Sequence, residues 1–155
     1  MTTDDQAREW GRRAMALGFV WAPGCLTMKG ERIGQAWYQR PGERGTVRDL
    51  RALPSDAVVY AWHMAGDIDT AETTTAELGE PDFRCAATAG VLVAWVRGLC
   101  DDPALGAVCT FKRDRWYVVR APEEFRHGWD HLVNVGDGPT EVAAWLAAAE
   151  AKGAQ

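Results

Sequence analysis

The sequence predicts an α+β domain in which about five antiparallel strands form a sheet, with a buried central helix and with N- and C-terminal helices packed on it. Three observations favour this class. The longest apolar run, residues 84–100, is too long for a typical strand and carries charge only at Arg84 and Arg97. Helical patterns lie at both ends of the chain. Short β-favouring segments, separated by turn residues, occupy much of the sequence between them.

The central run predicts a helix over Ala86–Leu99, which Asp101, Asp102 and Pro103 end. Four residues at helical spacing predict its buried face. They are Thr88, Leu92, Trp95 and Leu99. A second set of positions, called here the small-residue row, either admits a neighbouring backbone or faces water, and we expect it to face water. Its members are Ala86, Gly90, Ala94 and Gly98. A buried strand over 91–96 is the competing interpretation.

The two ends of the chain predict helices that pack on the sheet. Residues 3–17 form an amphipathic pattern with Thr3 at the N-cap and Gly18 after the C-terminus. Its expected ion pairs are Asp4 with Arg8 and Glu9 with Arg13. The last helix follows residues 137–139. Its inward positions are expected to be Val142, Trp145, Leu146 and Ala149.

The strand predictions come from β-favouring runs bounded by turn residues. They cover 25–28, 33–38, 56–64 and a hairpin over 107–120. Residues 66–80 are acidic and threonine-rich and predict a surface loop or short helix. A helix is expected to begin at Pro122, and residues 132–135 either end it or form a final strand.

The most basic segment, Arg40 to Leu53, supplies one candidate binding site. Residues 46–53 predict a short helix, on which three arginines would share a face that could bind a phosphate or an acidic partner. They are Arg44, Arg48 and Arg51. The alternative is a solvated face balanced by Glu43 and Asp49.

A second candidate site is a metal centre formed by Glu124, His127 and His131. A His-x-x-x-His pair on a helix can hold a transition metal on one face, and a more distant residue such as His63 could complete it. Gly128 follows the first histidine where the H-E-x-x-H motif has glutamate. The alternative is a pair of surface histidines flanking an apolar anchor.

One part of the sequence resembles a known family. Residues 81–103, PDFRCAATAGVLVAWVRGLCDDP, resemble a segment of small uncharacterised proteins of tailed phages and prophages, in which Pro-Asp leads into a Gly-centred helix that closes on Asp-Pro. Residues 21–24, Trp-Ala-Pro-Gly, are similar to a Trp-x-Pro-Gly patch of those proteins, and residues 138–141 also match. Cys85 and Ala86 depart from the pattern, which has Asp-Pro there. The resemblance implies a phage-type origin and no particular activity, cofactor or catalytic residue.

Composition limits the function classes. At 155 residues the chain is expected to form a single domain, residues 1–155, and its eight dispersed tryptophans indicate one core drawn from all segments. A net charge of −5 disfavours nucleic-acid binding through a broad basic surface. No apolar run reaches the ~20 residues of a membrane span, and no signal peptide is evident, so we expect a cytoplasmic protein. Four cysteines without C-x-x-C spacing suggest buried thiols.

The sequence contains no catalytic motif that would indicate an enzyme. The chain has no G-x-S-x-G, P-loop or dinucleotide fingerprint, and we expect no cofactor. The leading hypothesis is a non-enzymatic phage-type accessory protein that binds a host or phage protein. The first alternative is a nucleic-acid or nucleotide binder using the segment 40–51. The second is a small metal-dependent hydrolase using His127 and His131.

Overall fold

The α+β class is confirmed by a computed structural model, which describes residues 2–38, 47–54, 78–110, 114–120 and 132–154. These residues form three helices and five strands. Their bounds are α1 Asp4–Ala16, β1 Glu31–Tyr38, β2 Val47–Pro54, α2 Ala86–Leu99, β3 Gly106–Thr110, β4 Arg115–Arg120, β5 Val133–Gly138 and α3 Glu141–Gly153. The predicted strand over 56–64, most of the acidic loop and the helix expected from Pro122 lie outside the described residues.

Helix α1 follows the sequence prediction closely. The Thr3 hydroxyl accepts a hydrogen bond from the Gln6 N–H at 3.2 Å, which satisfies one free amide of the first turn. Gly18 adopts φ 82°, and the next N–H, that of Phe19, reaches back to the Ala14 carbonyl. This is the Schellman arrangement expected of a glycine at that position. Ala7, Trp10 and Ala14 are buried, as the apolar pattern predicts.

The ion pairs predicted within α1 are replaced by others in the described residues. Arg13 makes a two-pronged pair with Glu150 of α3, with N–O distances of 2.8 and 2.9 Å. Asp4 pairs with Arg84 instead of Arg8. A single exposed pair along a helix contributes only a few tenths of a kcal/mol, about 0.3. Charged side chains of the opposite sign from other segments therefore displace it readily.

The predicted single sheet of about five strands is not confirmed, because the five described strands form two sheets. Strands β1 and β2 pair antiparallel, with Glu31 opposite Pro54 and Tyr38 opposite Val47. Strands β3, β4 and β5 form an antiparallel meander. It confirms the hairpin predicted over 107–120 and the alternative that residues 132–135 form a final strand. The predicted strand over 25–28 is reduced to isolated bridges at Leu26 and Thr27.

The short helix predicted over 46–53 is wrong, because Val47–Pro54 is strand β2. A helix of eight residues is marginal without strong packing or caps. Strand β1 instead provides a partner that pairs with β2 along its whole length. Long-range backbone pairing therefore overrides the local pattern.

Helix α3, not α2, covers the three-stranded sheet. It packs against β4 and β5, while α2 and α1 pack against α3. Two glycines of β5 make this close approach possible. A Cβ atom at Gly136 would lie 2.4 Å from the Ala148 nitrogen, and one at Gly138 would lie 2.7 Å from the Ala143 Cβ. Six residues of α3 are buried. They are Ala143, Ala144, Trp145, Leu146, Ala148 and Ala149.

Helix α2 confirms the predicted bounds but is less buried than expected. Its fully buried residues are Thr88, Leu92 and Val96, whereas Leu99 is 37% exposed. The expectation of a central helix hidden beneath a sheet is therefore corrected to a helix that buries one face, mainly against α3. The cause is the small size of the sheet, which α3 already occupies.

One hydrophobic cluster joins α1, α2, α3, β4 and the segments between them. Phe19 lies at the centre of an aromatic group within it. Its ring meets those of Trp21, Phe83 and Trp95 edge-on, with centroids 5.5 to 5.7 Å apart. Such edge-to-face contacts each add about 1 kcal/mol to the burial itself. Tryptophans from distant parts of the chain thus meet in one core, as their dispersal predicts.

Candidate functional site

The three arginines predicted to form a binding site do not share a helical face. Arg48 and Arg51 belong to strand β2. Arg44 lies outside the described residues. The argument for one arginine-bearing helix face therefore loses its basis, and any binding role of these residues has to come from the strand.

The predicted metal ligands Glu124, His127 and His131 lie outside the described residues, as does His63. Within the described ranges, no group of three His, Cys, Asp or Glu side chains could hold a metal ion. Their role stays a prediction that metal analysis of the purified protein tests. One equivalent of zinc, lost in His127→Ala, would support it, and a metal-free protein would contradict it.

The most unusual surface of the described structure is the exposed side of α2, called here the α2 outer face. It consists of Ala86, Ala87, Gly90, Ala94, Gly98 and Leu99. None of these residues is charged, although soluble helices normally expose charged side chains. The exposed side of α1 shows the usual composition. Its residues are Asp4, Asp5, Arg8, Glu9, Arg12 and Ala16.

Two glycines of the α2 outer face have no evident packing role among the described residues. A Cβ atom at Gly90 or Gly98 would meet no atom of that part of the chain within 4 Å. Neither residue has the positive φ that would require glycine. Each glycine in a helix costs about 1 kcal/mol relative to alanine. The expectation that the small-residue row faces water is confirmed. No contact within α2 offsets the destabilisation that its two glycines cause.

The N-terminal end of α2 is held by a small ionic network. Arg84 donates to both oxygens of Asp82 at 2.9 Å and also pairs with Asp4 of α1. Asp82 is nearly buried. Burial alone would raise the pKa of its carboxyl group, but the hydrogen bonds from Arg84 outweigh it and lower that pKa. The network fixes where α2 begins relative to α1.

Cys85 occupies the N-cap position of α2, and its sulfur makes no capping hydrogen bond. Burial raises the pKa of this thiol. The nearby N–H groups of Thr88 and Ala87 and the positive charge of Arg32 act in the opposite direction and lower it overall. Since no capping bond forms, the effect of these amides is that of dipoles directed at the sulfur.

A second cysteine lies on a segment that packs against this end of α2. Cys25 is fully buried, and burial, together with the nearby Cys85 thiol, raises its pKa. The residue after it, Leu26, donates its N–H to the Thr88 hydroxyl at 2.8 Å. The cysteines are 60 positions apart, so their spacing in the sequence gives no sign of this proximity. The only local signal is that Cys85 immediately precedes a predicted helix.

Comparisons of the chain with protein-family models, with curated proteins and with solved structures gave no match. No helix among the described residues is both long and apolar enough to cross a lipid bilayer.

Proposed function

We propose that the chain is a non-enzymatic accessory protein of phage type that binds a host or phage protein through the α2 outer face. One observation carries the proposal. Two glycines that destabilise α2 face outward, where no residue that the structure describes uses the space that they leave. A partner whose backbone or flat apolar surface approaches this face would use it.

The chemistry of the face defines the kind of partner that fits it. Its residues offer no charge and no hydrogen-bonding side chain, so the partner surface is expected to be apolar and uncharged at its centre. Arg97 is half-buried at its edge, where it donates to the Leu105 carbonyl at 2.9 Å. The charged network of Asp82 and Arg84 adjoins the other end of α2. An apolar centre with a polar rim is the usual anatomy of a specific protein interface.

The resemblance of residues 81–103 to a phage protein segment supports the phage part of the proposal. That segment contains the whole of α2 and its N-terminal network. Ala87, Gly90 and Ala94 of the α2 outer face are among the residues that carry the resemblance, whereas Ala86 departs from the pattern.

Affinity capture from bacterial lysate with matched variants tests this function. Wild type and the control Ala151→Glu, an exposed alanine of α3, are expected to retain the same protein. Ala94→Glu is expected to lose it, because it places a carboxylate at the centre of the face. Gly90→Ala combined with Gly98→Ala should weaken capture while increasing stability. A protein retained equally by all four forms would overturn the proposal.

A second candidate is a nucleic-acid binder using β1 and β2. The backbone register places Trp37 opposite Arg48 and Gly34 opposite Arg51. A two-stranded antiparallel ribbon fits the major groove of DNA, and mixed aromatic and arginine positions suit single strands. Anisotropy of a labelled oligonucleotide tests it. Binding should weaken with salt and be lost in Arg44→Ala/Arg48→Ala but kept in Arg12→Ala, while no binding at low salt would exclude it.

A further inference from the structure

Two cysteines from distant parts of the sequence lie on segments that pack against each other at the start of α2. Three contacts hold the segment 25–27 against the segment 81–88. The Leu26 N–H donates to the Thr88 hydroxyl, and the Leu26 carbonyl accepts from the Asp82 N–H, both at 2.8 Å. Thr27 forms a β-bridge with Pro81. Cys25 and Cys85 are adjacent to these contacts on either side.

Arg32 lies close to both cysteines. Its guanidinium donates to the carbonyl of Gly24, the residue before Cys25, at 3.0 Å. Its positive charge also stabilises the thiolate of Cys85. The sulfur of Cys85 therefore lies at the positive end of a helix and in the field of an arginine, two of the settings that make cysteines reactive.

The four cysteines differ in a way that suits a reaction between these two. Cys109 is exposed, Cys85 and Cys100 are partly exposed, and Cys25 is buried. Burial raises the pKa of Cys100, and no lowering cause outweighs it. Cys85 alone among the described cysteines combines access with a lowered pKa. Cys25 is inaccessible to reagents, and the segment that carries it packs against the start of α2.

We propose that Cys85 is a peroxide-reactive thiol and that Cys25 resolves it, so that oxidation links the start of α2 to the segment 24–27 by a disulfide. The Cys85 thiolate attacks one oxygen of a hydroperoxide, an S–O bond forms, the O–O bond breaks and the alkoxide or hydroxide leaves as alcohol or water. The Cys25 sulfur then attacks the Cys85 sulfur. The S–S bond forms, the S–O bond breaks, and the departing hydroxide takes the Cys25 proton to give water.

The electron balance of the two steps is complete. The two sulfurs together lose two electrons, and the hydroperoxide gains them. The disulfide closes a loop of the 60 residues that follow Cys25, and a covalent closure of that length restricts the unfolded chain strongly. Oxidation is therefore expected to stabilise the fold and to fix the position of α2.

Mass-spectrometric mapping of the full chain tests the pair. The reduced protein is treated with one equivalent of hydrogen peroxide and digested without reductant. A peptide linking Cys25 to Cys85 is expected from wild type and from the control Cys109→Ala, without any disulfide between two copies of the chain. The unfolding midpoint in urea should shift upward and return after dithiothreitol.

Trapping the first intermediate gives an independent readout. In Cys25→Ser, dimedone is expected to label Cys85 several-fold more than the exposed Cys109, because the resolving step is removed. Arg32→Gln should slow that labelling. Labelling that follows exposure alone, with Cys109 first, would overturn the proposal. So would peptides that link any other pair of cysteines in place of Cys25 and Cys85.

Discussion

Helices α2 and α3 have similar lengths and similar Ala-rich sequences, yet α3 covers the three-stranded sheet while α2 leaves one face exposed. Helix α3 buries six residues and lies on the three-stranded sheet, while α2 buries three and exposes an uncharged face. The glycines show the reason. The glycines that α3 contacts lie in β5 and admit its backbone, whereas Gly90 and Gly98 lie within α2 and contact no described residue outside it. The surface that is available for packing, and not the hydrophobicity of the helix, therefore decides which helix lies on the sheet.

The largest expected contrast comes from truncating one leucine in each helix. Leu146 of α3 is fully buried, so Leu146→Ala should cost about 3 kcal/mol through lost burial and the cavity left behind. Leu99 of α2 is 37% exposed, and Leu99→Ala should cost about 1 kcal/mol or less. Urea unfolding of both variants measures the difference. Equal losses would show that α2 is as deeply packed as α3.

Gly→Ala substitutions should have opposite effects on stability in β5, beneath α3, and within α2. Gly136→Ala places a Cβ 2.4 Å from the Ala148 nitrogen and 2.6 Å from the Ala144 carbonyl oxygen, so it should cost about 2–3 kcal/mol. The Cβ added by Gly90→Ala meets no atom of the described ranges within 4 Å, so this substitution should stabilise the protein by about 0.5–1 kcal/mol. Unfolding midpoints give the sign directly. A destabilising Gly90→Ala would mean that the α2 outer face is covered in the free protein.

The N-caps provide a smaller contrast. The Thr140 hydroxyl of α3 accepts from the Ala143 N–H at 3.2 Å, so Thr140→Ala should cost about 1 kcal/mol. The Cys85 sulfur makes no such bond, and Cys85→Ser should stabilise by about 0.5 kcal/mol by supplying one. Thermal unfolding under reducing conditions separates these effects from any disulfide. A loss of stability in Cys85→Ser would contradict the absence of a cap.

The smallest expected effect depends on pH. The pKa of Asp82 is lowered in the folded protein, so the unfolded chain binds more protons in the acidic range. The stabilisation that ionised Asp82 contributes is present above pH ~3.9, the pKa of an unfolded aspartate. It is lost as the pH falls through the lower pKa of Asp82 in the folded protein. Asp82→Asn should cost about 0.5 kcal/mol at pH 7, since Arg84 is partly exposed. The two proteins should converge near pH 2, and a constant difference from pH 7 to 2 would exclude this cause.

The helices could be predicted from the sequence because their signals are local. Thr3, Gly18 and the repeat of Ala7, Trp10 and Ala14 mark α1 without reference to any other segment. The end of α2 is likewise set by the residues that follow Cys100. The hairpin of β3 and β4 depends on two adjacent β-favouring runs joined by a polar turn.

Features that depend on distant partners were not predictable in the same way. The sequence of strand β2 predicts a short helix, and only its pairing with β1 makes it a strand. Asp4 and Arg13 have partners within α1 at the right spacing, but Arg84 and Glu150 bind them instead. The proximity of Cys25 and Cys85 has no local signal because 60 positions separate them.

The sequence by itself determined the α+β class, the positions of the three helices and the fact that one row of α2 is small and uncharged. Caps, helical periodicity and turn residues act within a few positions, so these features do not depend on the rest of the chain. Only the tertiary structure decided that α3 covers the sheet, that the five described strands divide into two sheets and that the segment of Cys25 packs against the start of α2. Each of these depends on surfaces that become neighbours when distant segments pack together.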